Sequence, residues 1–159
     1  MAARAGWRPL SKAGFTLLEL LITATVLKIL ASAVVPMARN SIRRQKEIEL
    51  HRALREIRTA IDDYKAAVDQ QKIKAPSLDT MGYPATLEEL VDGVPLTGKI
   101  GKMRFLRRIP VDPLVGRPDW GLRSINDEPG ATAWGGGSVF DVHSQALGSG
   151  MNGIPYRDW

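Results

Sequence analysis

The chain is 159 residues long, 44% hydrophobic and 25% charged, with a formal net charge of +5 and no cysteine. That length accommodates one modest domain plus a membrane anchor and excludes two large domains, since domains commonly run about 100 to 150 residues and about 20 apolar residues cross a bilayer. Disulfides and thiolate metal sites are excluded, and setting Arg4, Arg8 and Lys12 aside from 22 basic residues against 17 acidic ones leaves a net of about +2, too balanced for a nucleic-acid-binding face.

The first element is the apolar run Phe15 to Val35. As a helix it reaches roughly 31 Å, the thickness of the hydrocarbon core. Glu19 and Lys28 interrupt it. Each costs about 2.5 to 3.5 kcal/mol near a helix centre, so an ordinary anchor gains by losing either. Nine residues apart, they lie on opposite faces and roughly 13 Å apart along the axis, so each needs a partner outside its own helix. Snorkelling serves a lysine near an end, but not a short glutamate or a lysine near mid-span.

Two rivals stand beside a span with functional charges. In a secretory signal peptide, Ala31-Ser32-Ala33 would be the cleavage site; the apolar run is longer than the usual 7 to 15 residues or so, and it carries an acid and a base. A plain single-pass anchor would take its orientation from flanking cations, yet Arg4, Arg8 and Lys12 precede the run while Arg39, Arg43, Arg44 and Lys46 follow it.

From Met37 to Lys74 there is no glycine or proline, and helix formers dominate. Leu50, Leu54, Ile57, Ile61, Tyr64 and Val68 recur at spacings of three and four, which predicts an amphipathic helix with one apolar stripe. The helix is expected to run from Phe15 to Lys72 with a bend at Pro36. Its remaining charges read as a solvated face. Lys74 to Asn126 is punctuated by prolines and glycines and reads as loop. Within it Thr86-Leu87-Glu88-Glu89 predicts a capping box: Thr86 bonds the N–H three residues on and Glu89 returns the bond. "WGLRSI" and "SVFDVHS" are the strand candidates, separated by the turn-rich "NDEPGATAWGGG". The fold class is therefore α+β, a long N-terminal helix carrying a small C-terminal antiparallel sheet on its stripe.

Candidate chemistry is sparse. Asp141 and His143 alternate onto one face of the second strand, but sequence places no nucleophile beside them, so an exposed strand face is the expectation and an enzyme is not. His51 has nothing at metal-ligand spacing and reads as a surface residue. Gly135-Gly136-Gly137 has no following lysine and no strand-to-helix context, so it is turn backbone and not a phosphate loop. Trp120, Trp134 and Trp159 are expected to pack a small core.

"KAGFTLLELL" resembles the processing site of type IV pilins and type II secretion pseudopilins: a short basic leader, Gly14, then Phe15, with Glu19 fifth in the mature chain and Pro36 near the end of the span. "FLRRIPVDPLVGRPDWGLRS" and "VFDVHSQALGSGMNGIPYRDW" are similar to the loop, strands and terminal segment of the major pseudopilins of type II secretion. The resemblance implies a type IV pilin-like fold, with a leader at 1–14, a transmembrane assembly helix at 15–36, an amphipathic stalk at 37–74 and a loop-rich region with antiparallel strands at 75–159. It implies cleavage by prepilin peptidase between Gly14 and Phe15, methylation of the Phe15 amine, and a single pass through a bacterial inner membrane with the C-terminal region in the periplasm. Glu19 would meet the Phe15 amine of a neighbouring subunit. Lys28 departs from the family's uncharged span; its assembly partner would be a different neighbour's Glu19 or a lipid phosphate.

The function so implied is that of a structural subunit of a periplasmic secretion filament that polymerises from the inner membrane to drive export. Its partners would be further copies, other pseudopilins, the peptidase, the inner-membrane assembly platform and membrane lipid, with no nucleic acid. The alternatives are a type IV pilin, major or minor, and a secreted periplasmic binding protein whose signal peptide is removed.

Major pseudopilins as a family carry a calcium site in the C-terminal loop, built from acidic side chains and carbonyls. Calcium takes about six to eight oxygens, and between Ser144 and Tyr156 this chain has no acid, only Ser149, Asn152 and carbonyls. Asp141 and Asp158 are left to close a weak site from outside the loop. Ligand count favours no cofactor and a loop held by Tyr156, Trp159 and backbone hydrogen bonds.

The competing cleavage sites separate cleanly in mass. The membrane-extracted chain is expected to begin at Phe15, as read by intact mass and N-terminal peptide analysis; a start at Val34 would identify a signal peptide and remove the span.

Overall fold

The structure is a computed structural model that describes residues 14–74, 77–128, 130, 131 and 133–159, and only the backbone of 33–36 and 78. Leader residues 1–13 lie outside the described residues. The chain divides into two compact units, one ending at Ser41 and the other comprising Ile42–Trp159. Helix α1, Leu17–Asp69, contributes to both. The helical backbone is unbroken through residues 33–36, whose side chains lie outside the described residues, as does the bend assigned to Pro36.

α1 ends three residues short of the expected Lys72. Gln71 enters the left-handed region at φ 54°. The Gln71 and Lys72 N–H groups then bond back to the Val68 and Ala67 carbonyls at 2.8 and 2.9 Å. This pair of bonds is the Schellman closure, which relieves two orphan carbonyls at a helix end. Glycine usually supplies the left-handed residue; a glutamine there leaves no mark in composition.

In the second unit the predicted stripe is the core. Leu50, Leu54, Ile57, Ile61 and Tyr64 are fully buried, Val68 packs against them in part, and Ala53, Ala60 and Ala67 widen the buried face. They meet Ile73, Leu87, Leu90, Leu106, Trp120, Val139, Val142 and Tyr156. Among the described residues the antiparallel strands are divided between two sheets of two strands each. β1, Val94–Pro95, pairs with β2, Lys102–Met103, a short hairpin that the sequence did not reveal. β3, Trp120–Arg123, pairs with β4, Asp141–Ser144, in the register Trp120 to Ser144 and Leu122 to Val142. Both lie within the predicted strand segments. Trp120, Val142 and Ser144 are buried on one face, while Gly121, His143, Arg123 and Asp141 are only half-buried on the other.

Three local expectations are corrected. Helix α2, Glu88–Asp92, has Leu87 and not Thr86 at its N-cap, with no side-chain cap bond. Glu89 instead accepts the Ala85 N–H at 3.1 Å and stands 3.5 Å from the Tyr64 hydroxyl. The carboxylate is drawn toward the core hydroxyl, so it meets the chain one residue earlier than a capping box requires. Trp134 is 41% exposed and is not core; its indole N–H donates to the Ser138 carbonyl at 3.0 Å, bracing the loop between β3 and β4. The face carrying Asp141 and His143 is half-buried and not exposed.

Tyr64 sits at the centre of this core, and burial first, then the neighbouring Glu89 carboxylate, push its hydroxyl up to about 12. Below about pH 10 the hydroxyl is protonated in folded and unfolded chains alike, and between 10 and 12 only the unfolded chain ionises. Stability contributed by Tyr64 is thus complete below pH 10 and is lost as pH rises through that window, by about 2 kcal/mol. Tyr64→Phe is expected to flatten this loss, measured as the difference in melting temperature between wild type and variant from pH 9 to 12.

Candidate functional site

Among the described residues, the helix of the first unit is apolar and its side chains are exposed. An 18-residue window of mean hydropathy 2.0 is entirely uncovered, and Phe15 is 75% exposed. Thr16 caps the helix: its Oγ1 accepts the Glu19 N–H at 3.2 Å, and its carbonyl takes the first helical bond, from Leu20 N–H at 3.1 Å. Thr16-Leu17-Leu18-Glu19 therefore has the spacing of a capping box, a signal the sequence reading passed over. Glu19 falls in the first turn, where the positive end of the helix favours a carboxylate.

The hydroxyls of the span are satisfied within it. Thr23 donates to the Leu20 carbonyl at 3.0 Å, Thr25 to Leu21 at 2.7 Å and Ser32 to Ile29 at 2.7 Å. Back-bonding of this kind lets a hydroxyl sit in lipid without an unpaired donor. Glu19 and Lys28 have no such recourse. Both are exposed, and neither takes part in an ion pair among the described residues.

The second candidate region is the segment after β4. Tyr156 is buried in the short 3-10 turn Tyr156–Asp158, and its hydroxyl donates to Glu47 Oε1 at 2.9 Å. The same oxygen accepts the Met151 N–H at 3.0 Å and Arg43 Nε at 3.2 Å. Trp159 stacks on His51 with ring centres 4.2 Å apart and planes 9° from parallel, so His51, although exposed, has a packing partner. Tyr156 meets Trp159 edge to face at 5.1 Å.

The acids left to hold calcium are occupied by arginine. Arg58 Nε and Nη2 donate to the two Asp141 carboxylate oxygens at 2.6 and 3.2 Å. Asp158 Oδ1 stands 3.8 Å from both Arg123 and Arg157. Among the described residues no three His, Asp or Glu side chains gather as a metal cage. This donor set does not fit a hard divalent cation, which requires several free carboxylates and is repelled by guanidinium groups.

His143 has no acid to orient it, because Asp141 is turned to Arg58. The imidazole lies across Gly121, where an added Cβ would stand 2.2 Å from Nε2, and its buried Nδ1 has no hydrogen-bond partner among the described residues. Burial, then repulsion from Arg123, hold its pKa below the ordinary value. The ring packs against Gly121 between β3 and β4. Asp112, which the sequence reading did not single out, is fully buried. Its Oδ1 accepts the Leu114 and Val115 N–H groups at 2.8 and 3.3 Å, and its Oδ2 accepts the Ser144 hydroxyl.

No family model matches the chain, and no solved structure matches it. Two curated proteins do. The chain is 31% identical over 126 residues to the type II secretion system core protein G of Escherichia coli, across 74% of this chain and 72% of that protein. It is 32% identical over 108 residues to the type II secretion system core protein G of Pseudomonas aeruginosa, across 64% of this chain and 68% of that protein. Likeness of this degree along most of both relatives means that the chain belongs to the type II secretion system core protein G family.

Proposed function

We propose that this chain is a pseudopilin, a structural subunit of a type II secretion system. It is held in the inner membrane by the apolar part of α1, with the unit from Ile42 onward in the periplasm, and it acts by polymerising into a filament with further copies and other pseudopilins. Prepilin peptidase frees the Phe15 amine by cutting after Gly14, the amine is methylated, and an inner-membrane platform assembles the subunits. Family membership supports the subunit role. The observation that carries the assembly reading is the span itself: every described hydroxyl within it is satisfied internally, while Glu19 and Lys28 stand exposed on opposite faces.

The physical logic is a charge held in reserve. A lone carboxylate in the bilayer costs about 2.5 to 3.5 kcal/mol and contributes nothing to anchoring. Beside a neighbour's Phe15 amine it becomes half of an ion pair in a low dielectric, so docking removes the penalty that insertion imposed. Because Glu19 sits in the first turn of α1, the pairing fixes the depth of each subunit against the next. Lys28, a little over two turns deeper, is neutralised by another neighbour's Glu19 or by a lipid phosphate.

Uncharged replacements separate insertion from assembly. Glu19→Leu should insert at least as well as wild type and lose about 3 kcal/mol of docking contact per subunit, enough to deplete filaments strongly. Crosslinked or sheared filament material, compared with total membrane-inserted protein, reads both steps. A Glu19→Leu chain that assembles at the wild-type level would show that the pairing does not exist. Lys28→Leu should insert well, and a loss of filament in this variant assigns Lys28 a protein partner.

A further inference from the structure

In the second unit four oxygens from distant parts of the chain converge on one guanidinium. Arg58, on α1, holds both carboxylate oxygens of Asp141 and also donates to the Val142 carbonyl at 3.1 Å and the Trp159 carbonyl at 2.7 Å. These four oxygens come from the start of β4 and from a residue 101 positions away in sequence. Farther toward the start of α1, Arg43 donates to the Ser149 carbonyl, and Glu47 accepts from Met151 and Tyr156. The segment from Ser144 to Trp159 is thus clamped at three places by charged side chains of one helix.

We infer that charged side chains of α1, Arg58 foremost, do in this protein the ordering that the family resemblance assigns to calcium: Arg58 ties the last residue to the start of β4, Arg43 and Glu47 hold the loop between them, and the order of the C-terminal segment is independent of a divalent ion. A guanidinium suits this arrangement. It stays charged at every physiological pH, and its planar fork of five donors matches a carboxylate bidentately while leaving N–H groups for carbonyls. Calcium would have to displace it, and the only acids within or flanking the segment, Asp141 and Asp158, already face Arg58, Arg123 and Arg157. No acid lies between Ser144 and Tyr156 to compensate. Borne on α1, the cation is present whenever the helix is folded, so the clamp closes with the core and does not wait for an ion. It lies wholly within the second unit and requires no assembly.

The test uses the full chain in detergent, in millimolar calcium and in chelator, for wild type, Arg58→Met and Arg58→Lys. Melting is followed with limited proteolysis and amide exchange of residues 144–159. Wild type should melt within about 1 °C in the two conditions, because a ligand that does not bind adds no stability. Its segment should be equally protected in both. Arg58→Met should melt several degrees lower and expose the segment to protease in calcium and chelator alike. Arg58→Lys should restore only part of the protection, since one ammonium does not reproduce a bidentate fork. A wild-type melting temperature or segment protection that rises with calcium and falls with chelator would overturn the inference. So would an Arg58→Met segment as protected as that of wild type. Should Arg58→Met fail to fold, Arg58→Lys decides the role of Arg58: a segment as protected as that of wild type in this variant would overturn it.

Discussion

Everything in the second unit depends on one buried stripe. Leu50, Leu54, Ile57, Ile61 and Tyr64 lose essentially all contact with water, and the other elements are too short to make a core among themselves. Two sheets of two strands each and a five-residue helix cannot stand alone. They persist because α1 offers a continuous apolar face, and burying a large aliphatic side chain stabilises by about 1.5 to 3 kcal/mol. The helix is in turn ordered by what it covers, since a helix in water draws most of its stability from the packing of one face.

With so little regular pairing, the irregular backbone needs other acceptors, and carboxylates supply them. Asp112 takes two N–H groups of the turn that follows it and the hydroxyl of Ser144 on β4. Asp127 takes the Ser124 N–H at 2.7 Å and the Gly135 N–H at 3.1 Å, closing the base of the loop between β3 and β4. Glu89 anchors the entry to α2 through Ala85, and Glu47 anchors the last segment through Met151 and Tyr156. A charged acceptor binds an N–H about twice as strongly as a neutral one, so a few acids hold loops that otherwise have no ladder.

The first unit obeys a different solvent. Its apolar side chains are exposed because the covering surface is outside the chain, and its hydroxyls turn inward onto the helix because lipid offers them no partner. In water-soluble packing a charge is ordinary; on this helix it is the costly exception. That contrast is the physical ground for the assembly role proposed for Glu19. The helix is long and apolar enough to serve as a membrane anchor.

The sequence by itself determined the features that depend on local order along the chain. Length and hydropathy mark a span from Phe15 to Val35, spacing of three and four marks the stripe on α1, and alternation with turn formers marks β3 and β4. Gly14, Phe15, Glu19 and Pro36 carry the resemblance to the family, to which the chain's likeness to two relatives assigns it. Periodicity is written in neighbours, so it survives without a fold. Tertiary structure alone decided where the charges went. Arg58, Glu47 and Asp112 look like solvated or turn residues in sequence, yet each binds groups 32 to 109 positions away. Glu89 forsakes its capping box for the edge of the core, and Gln71 ends α1 where no glycine announces it. Such choices follow from which carbonyl or carboxylate a folded chain brings within about 3 Å, a quantity that has no expression until the core has formed.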